Sequence, residues 1–148
     1  MKEKKIKNQK IEDTLSRLRK EQLNKINDAH WKIINFLTQN YKNIVIGKWS
    51  TKQCISKKKK IQLNDNTKEK LSALSFYKFL QRLEFKSNIN QNNLIIEKEH
   101  YTSQICSNCG NLKNIGASKT YNCKKCNITL DRDINSCKNI ICKSLIDE

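Results

Sequence analysis

Proline is absent from this chain of 148 residues, and glycine occurs only three times. The chain is rich instead in Lys, Asn and Ile, as the product of a compositionally biased coding sequence would be. It has no apolar run near the roughly 18 residues that cross a bilayer, and it opens Met1-Lys2-Glu3-Lys4-Lys5 without an apolar signal segment. We therefore expect a soluble intracellular protein, cytoplasmic or nuclear according to its host, with no membrane partner and with reduced cysteines.

Acidic residues are scarce relative to basic ones. The chain has 14 Asp and Glu against 30 Lys and Arg, which gives a net charge of +16. Such a charge attracts a polyanion by counterion release, so nucleic acid, and DNA first, is the expected partner. The alternative is that the compositional bias alone produced a solvated basic surface. The sequence leaves both interpretations open.

Hydrophobic patterning predicts an α/β arrangement. Apolar residues at helical spacing predict an amphipathic helix over residues 10–40 and a second continuous helix that Asn66 caps, with Glu69 reaching back to the cap. Ile44-Val45-Ile46 and Leu94-Ile95-Ile96 are typical of short buried strands. This order predicts a parallel pair with a helical crossover. Two parallel strands do not make a stable sheet, so we expect a domain whose first strands are absent here.

A last helix is predicted from about Asp133 to Leu145. Its apolar residues share one face, which we expect to pack inward: Ile134, Cys137, Ile141 and Leu145. Three cysteines are expected to be small buried hydrophobic side chains rather than reactive thiols. They are Cys54, Cys137 and Cys142.

The other four cysteines form two Cys-x-x-Cys pairs, Cys106/Cys109 and Cys123/Cys126, separated by 13 residues. Each pair places two thiolates on one tight turn, and two such turns supply the tetrahedral sulfur set that Zn²⁺ prefers. Two disulfides are the alternative, but they require an oxidising compartment. We therefore predict one structural Zn²⁺ at these four residues.

Residues 101–110, 116–126 and 130–140 closely resemble the carboxyl-terminal end of transposon-encoded TnpB (OrfB) proteins and their Fanzor relatives. The segments read YTSQICSNCG, GASKTYNCKKC and LDRDINSCKNI. Those families are RNA-guided DNA nucleases whose RuvC domain, of ribonuclease H-like fold, is interrupted by a zinc ribbon. The resemblance implies a partial RuvC-like α/β region at residues 1–100, a zinc ribbon at 101–130 and a final RuvC-like helix at 131–148. It extends more loosely over residues 28–31, 43–47 and 73–79.

The resemblance also implies roles for the carboxylates near the last helix. The family's last metal-binding acid falls on Asp133, with Asp131 beside it as a further candidate. Asn135 is expected to orient that acid or to cap the helix. On spacing alone, an Asp just before a helix is more often an N-cap than a metal ligand. The functional interpretation is that Asp133 helps to hold Mg²⁺ for phosphodiester cleavage.

The family's middle carboxylate, a Glu that ends the central strand, falls on Gly47 and is missing. Fanzor-like members carry a glutamate just before the Tyr-Thr-Ser of the zinc segment, and Glu99 matches that position. Glu97 is a less favoured substitute. The alternative for Glu99 is a solvated charge at a strand end.

The family's first carboxylate lies on an opening strand upstream of every residue present here. We therefore expect this chain alone not to cut DNA, because a two-metal site without one bridging ligand binds metal poorly. Its expected activity is nucleic-acid binding, with DNA and a guide RNA as candidate partners. The rival hypothesis is a split Mg²⁺-dependent endonuclease completed by a separate amino-terminal half, and a third is a gene remnant.

Candidate nucleic-acid contacts are the basic run Lys57, Lys58, Lys59 and Lys60 and the aromatic rings of Tyr101 and Tyr121. Lysines in a loop contact phosphate, and aromatic rings stack on unpaired bases. The alternative for the lysine run is an exposed loop. His30 and His100 are expected to serve in packing or hydrogen bonding, because four thiolates are available for metal.

Overall fold

The computed structural model describes residues 2–51, 55, 63–116 and 118–146, with side chains from Asn8 onward. Its helices and strands follow one another as α1 (Lys2–Asn40), β1 (Asn43–Gly47), α2 (Asp65–Ala73), α3 (Phe76–Asn90), β2 (Asn93–Glu97), β3 (Thr120–Asn122), β4 (Thr129–Asp131) and α4 (Arg132–Ser144). They form a helical unit of residues 1–40 and 50–90 and a strand–ribbon unit of residues 41–49 and 91–148. None of the helices in the described ranges is long and apolar enough to cross a membrane.

The core of the helical unit lies between the second half of α1 and α3. Ile34 and Leu83 have no exposed surface, and Phe79 is buried beside them. In the first half of α1, Ile11 and Leu15 keep 50% and 46% of their surface exposed. The predicted long helix is therefore confirmed, and its second half packs more deeply than its first.

Both the start and the end of α2 differ from the prediction. Asn66 does not cap α2; instead the Asn64 side chain accepts a hydrogen bond from the Thr67 N–H at 2.8 Å. The second helix is also not continuous, because Ser75 adopts a φ of 47° between α2 and α3. This left-handed conformation is incompatible with a continuing α-helix, so the chain turns there.

His30 joins the three helices of the helical unit. Its Nε2 lies 3.0 Å from the Leu74 carbonyl, and its Nδ1 lies 3.2 Å from Arg82. The ring meets Phe79 edge-on at a centroid distance of 5.2 Å. Burial lowers the pKa of His30, which favours the neutral ring that can donate at one nitrogen and accept at the other. The predicted packing and hydrogen-bonding role of His30 is confirmed.

The strand–ribbon unit contains the predicted parallel pair. β1 runs parallel to β2, with Asn43 opposite Asn93 and Gly47 opposite Glu97. Because parallel strands end at the same edge of a sheet, the residues that follow Gly47 and Glu97 emerge side by side. β3 and β4 form a separate antiparallel pair, and α4 packs against both pairs. The fold is mixed α/β, as predicted.

The orientation of α4 is opposite to the predicted one. The side that packs inward carries Asn135, Ile140 and Ser144, exposed by 0%, 8% and 3%. The predicted inward face is exposed instead: Ile134, Cys137, Ile141 and Leu145. The Asn135 and Asn139 side chains lie on the inward side because they donate hydrogen bonds to the Ile105 and Thr102 carbonyls of the neighbouring segment. The expected burial of Cys137 and Cys142 is therefore wrong, and Cys54 lies outside the described residues.

Candidate metal centre

Both Cys-x-x-Cys turns are closed by backbone hydrogen bonds and end on a residue of positive φ. In the first turn, the Gly110 N–H donates to the Cys106 carbonyl at 2.9 Å, and Gly110 has a φ of 70°. In the second turn, the Cys123 N–H donates to the Ile128 carbonyl at 2.9 Å, and Asn127 has a φ of 56°. Glycine and asparagine adopt this conformation at the least cost, which explains their positions directly after the second cysteine of each pair.

The two turns bring four sulfur atoms together. The Sγ atoms of Cys106, Cys109, Cys123 and Cys126 all lie within 4.8 Å of one another. Cys106 lies 3.6 Å from Cys126, and Cys109 lies 3.6 Å from Cys123, measured between sulfurs. In a tetrahedral zinc site with Zn–S bonds of about 2.3 Å, sulfurs are separated by about 3.8 Å. The cluster therefore has the donor type and the spacing to hold a metal ion.

The thiols of Cys126 and Cys109 differ strongly in pKa. Hydrogen bonds from the Asn108 side chain and the Ile128 N–H lower the pKa of Cys126 to about 6. The Asn111 N–H lowers the pKa of Cys109, but burial and hydrogen bonding with the other three cysteines outweigh it and raise that pKa to about 12. At neutral pH Cys109 thus carries a proton that a bound divalent cation would displace.

Tyr121 forms the centre of the small core beneath the cysteines. It is fully buried and packs with Cys106 and Cys123. Its hydroxyl lies 3.1 Å from the Gln104 carbonyl and 3.0 Å from the Asn111 carbonyl, so it can donate to either. Burial raises its pKa. The predicted stacking of Tyr121 on a base is wrong, because an enclosed ring has no free face.

The edge where β1 and β2 end brings Glu99 to Gly47. A Cβ atom at Gly47 would lie 2.7 Å from Glu99 Cγ and 2.6 Å from Glu99 Cδ, and would overlap the Glu99 carboxylate. A Cβ atom does not approach non-bonded atoms this closely. The Glu99 side chain therefore fills the space into which a side chain at position 47 would project.

Glu97 is held inward at the same edge. Its carboxylate accepts a hydrogen bond from the Lys98 N–H at 2.7 Å, and Lys143 Nζ of α4 lies 3.4 Å away. The backbone hydrogen bond lowers the pKa of Glu97, and Lys143 adds to that effect. Because Lys143 also donates to the Lys98 carbonyl at 3.1 Å, it fixes the strand end. Sequence patterning did not predict this ion pair, since Lys143 and Glu97 lie on different elements.

The two aspartates at the start of α4 have different environments. Asp131 is the N-cap, and its Oδ1 accepts from the Asp133 N–H at 2.8 Å and the Ile134 N–H at 3.2 Å. The capping interpretation of Asp131 is confirmed. Asp133 projects outward with 81% of its side chain exposed, and Arg132 Nε lies 3.3 Å from its Oδ1. In the described ranges, the four cysteines are the one group of three or more potential metal ligands that converge.

Comparison with known proteins places this geometry in a family. Residues 76–140 match the family described as "Cas12f1-like, TNB domain". The chain is 40% identical over 118 residues to TnpB-like protein L79 of Acanthamoeba polyphaga mimivirus, which covers 80% of this chain. It is 31% identical over 128 residues to putative transposase A625R of Paramecium bursaria Chlorella virus 1, which covers 84% of it. The chain belongs to the TnpB-like family.

The solved structures agree with this assignment at the level of the fold. A chain of "Cryo-EM structure of the Cas12f1-sgRNA-target DNA complex" superposes with a TM-score of 0.58 at 19% identity and covers 84% of this chain. This TnpB-like chain spans 34% of that structure, 22% of L79 and 28% of A625R. It therefore corresponds to less than two fifths of each of these longer relatives.

Asn135 of the TnpB-like motif has a role that sequence reasoning missed. It neither caps α4 nor contacts Asp133; the cap is Asp131. Its side chain, fully buried, accepts from the Ser107 N–H at 2.9 Å and donates to the Ile105 carbonyl at 2.7 Å. A buried polar residue on an amphipathic helix was the available signal, because such a residue needs a hydrogen-bonding partner.

Of the remaining candidate contacts to nucleic acid, the structure describes Tyr101 but not the lysine run at 57–60. Tyr101 is 64% exposed, so its ring is accessible. Its backbone has a φ of 61°. Lys57, Lys58, Lys59 and Lys60 lie outside the described residues. The structure does describe exposed lysines in and before the second cysteine turn: Lys124 and Lys125 within it and Lys119 before it.

Proposed function

We propose that this chain is a nucleic-acid-binding zinc-ribbon segment of a TnpB-like, RNA-guided DNA endonuclease. The observation that carries the proposal is the set of four sulfurs that lie within 4.8 Å of one another. Four thiolates close the coordination sphere of Zn²⁺, so a bound ion would stabilise the ribbon and leave no position for a catalytic water. Residues 101–130 form this ribbon, and the flanking residues 1–100 and 131–148 belong to a partial RuvC-like region.

DNA is the proposed partner, with a guide RNA as a second nucleic acid. The charge of +16 favours phosphate contacts. Lys124 and Lys125 lie exposed between Cys123 and Cys126, where an ordered turn would present both ammonium groups together. Exposed Tyr101 offers an aromatic ring for stacking on a base. The Cas12f1 chain that shares the fold is itself described in a complex with guide RNA and target DNA.

A pair of charge-matched variants tests the DNA-binding proposal. Replacing Lys124 and Lys125 by Gln should weaken binding of labelled single-stranded DNA, measured by fluorescence anisotropy. Replacing Lys10 and Lys20 of α1 by Gln removes the same charge at exposed positions of the helical unit. Equal losses of affinity in both variants would show that net charge alone binds DNA, and would contradict a binding surface on the ribbon.

The contact between Gly47 and Glu99 favours a second candidate function, that of a split nuclease. The strand-end position that carries a glutamate in most of the family is filled here by the Glu99 side chain, arriving from the segment after β2. Glu99 and Asp133 would then hold Mg²⁺ together with an aspartate supplied by an amino-terminal half, within a ribonuclease H-like domain. Asp131 is committed to capping α4, which leaves Asp133 as the stronger ligand candidate.

The exposed apolar residues of α4 are compatible with such a completed domain. Ile134, Ile141 and Leu145 are each at least half exposed, and apolar helix faces are normally covered. The longer TnpB-like relatives have additional chain that could supply the cover. Among the described residues no group of three or more carboxylates converges, and the chain on its own is proposed to be inactive.

A further inference from the structure

The buried side-chain amide of Asn135 bonds to the backbone of both residues that flank Cys106. Asn135 accepts from the Ser107 N–H at 2.9 Å and donates to the Ile105 carbonyl at 2.7 Å. Ile105 and Ser107 flank Cys106 on either side. The position of the first cysteine turn and the position of α4 therefore depend on the same fully buried side chain.

A second amide extends this connection toward Glu99. Asn139, one turn after Asn135, donates to the Ile105 carbonyl at 2.7 Å and to the Thr102 carbonyl at 2.8 Å. Buried Thr102 in turn donates through its hydroxyl to the Glu99 carbonyl at 3.0 Å, and its oxygen lies 2.8 Å from the Ser136 hydroxyl. A continuous polar network thus runs from the cysteine turn through α4 to the segment that carries Glu99.

We propose that Asn135 and Asn139 are positioning residues that couple metal occupancy of the four-cysteine cluster to the first turn of α4 and to the Glu99 segment. A bound ion fixes Ile105 and Ser107, and these backbone groups satisfy the buried amides. Without the ion the turn is released, and a buried amide that loses its partners destabilises the helix to which it belongs. This inference rests on the proposed zinc site but requires no nuclease activity.

Hydrogen exchange on the full chain tests the coupling. The amides to follow are those of Asp133 and Ile134, which donate to Asp131 in the first turn of α4. In the unsubstituted chain, removal of zinc by a chelator should increase their exchange rate by about tenfold or more, the expected size of one or two lost buried hydrogen bonds. In Asn139→Ala the zinc-dependent change should be several-fold smaller.

Zinc affinity supplies the reciprocal measurement. Because coupling between two sites is mutual, Asn135→Ala and Asn139→Ala should weaken zinc binding by the same factor by which they reduce the zinc-dependent change in exchange. A merely structural role would raise exchange equally with and without zinc. Lys138→Ala, at an exposed position of α4 between the two amides, is the matched control and should leave both quantities unchanged.

The spectrum of the Co²⁺-loaded chain shows whether each variant keeps its four-sulfur coordination. If Asn135→Ala does not fold, Asn139→Ala, whose side chain is only partly buried, decides the question. Unchanged zinc affinity in both variants, or an undiminished response of α4 to the chelator, would overturn the coupling while leaving the zinc site intact. No zinc binding by the unsubstituted chain would overturn both proposals.

Discussion

Glu99 occupies the space that a side chain at Gly47 would need. Its Cγ and Cδ atoms lie 2.7 and 2.6 Å from the position of a Cβ on Gly47. The two positions therefore cannot both project a carboxylate into this space without displacing one of them. We propose that the Glu99 carboxylate replaces, in space, the strand-end glutamate that the family resemblance implies at position 47.

A double substitution tests this replacement in a nuclease completed by the amino-terminal half of a TnpB-like relative. Glu99→Ala should lower the DNA cleavage rate by about 100-fold or more, because a metal-bound reaction is sensitive to a lost ligand. Adding Gly47→Glu to that variant should restore part of the rate, since a side chain at position 47 projects into the space that the Glu99 side chain then leaves.

Glu84→Ala is the control for that experiment, because it removes an exposed carboxylate from α3. Its cleavage rate should match that of the unsubstituted chain. Full activity of Glu99→Ala would exclude Glu99 as a metal ligand.

The chain alone, incubated with Mg²⁺ or Mn²⁺, should leave single- and double-stranded DNA intact. Among the described residues, no group of three or more carboxylates converges, and a two-metal site needs bridging ligands held in place. Gel electrophoresis of a labelled substrate provides the measurement. Cleavage that disappears in Asp133→Ala would show that another acid of this chain, such as Glu97, completes the site.

Zinc affinity should rise with pH. The Cys109 thiol, with a pKa of about 12, must lose its proton to bind metal at neutral pH. Cys126, with a pKa of about 6, must also lose a proton below that pH. Each proton displaced makes binding about tenfold stronger per pH unit. Competition titrations with a chromophoric chelator should therefore give a steeper pH dependence below about pH 6, and a flat profile would contradict this protonation scheme.

Tyr121→Phe and Tyr101→Ala should separate the structural tyrosine from the accessible one. Loss of the Tyr121 hydroxyl removes one of the two donors to each of the Gln104 and Asn111 carbonyls, which also accept from the backbone N–H groups of Lys113 and Cys106, and should reduce the free energy of unfolding by about 1 kcal/mol. DNA affinity should not change. Tyr101→Ala should show the opposite pattern, with a loss of about 1–3 kcal/mol in binding single-stranded DNA. Thermal unfolding and anisotropy titrations distinguish the two.

DNA affinity should fall steeply with salt, with a log–log slope of about −0.9 for each phosphate neutralised on duplex DNA. Replacing Lys57, Lys58, Lys59 and Lys60 by Gln should make that slope shallower. The charge-matched control replaces four exposed lysines of the described helices: Lys10, Lys20, Lys25 and Lys78. Affinity that does not change between low and physiological salt would show that the basic charge reflects composition only.

The sequence allowed prediction of the features that depend on local spacing. The two Cys-x-x-Cys turns and the parallel pairing of Ile44–Ile46 with Leu94–Ile96 were predicted correctly, because each follows from a short motif. The inward face of α4 was predicted wrongly. Apolar periodicity indicated Ile134 and Ile141, whereas the hydrogen bonds of Asn135 and Asn139 determine the packing. Such bonds join residues about 30 positions apart, a relationship that one sequence does not reveal.

The burial of Tyr121 was missed for a related reason. An aromatic residue in a basic, polar segment is typical of a base-stacking surface, but the ribbon is too small to form a core without it. Its ring therefore packs with Cys106 and Cys123 in the small core of this segment. Small metal-stabilised segments use their few large side chains as core, so exposure cannot be inferred from the polarity of neighbouring residues.

Native mass spectrometry of the chain purified under reducing conditions tests the zinc site most directly. We expect one Zn²⁺ per chain, absent from Cys123→Ser, together with unfolding of residues 101–128 in that variant, since structural zinc contributes on the order of 10 kcal/mol. A metal-free chain whose far-ultraviolet spectrum does not respond to chelator, or whose mass shows the loss of hydrogens that accompanies two disulfides, would contradict it.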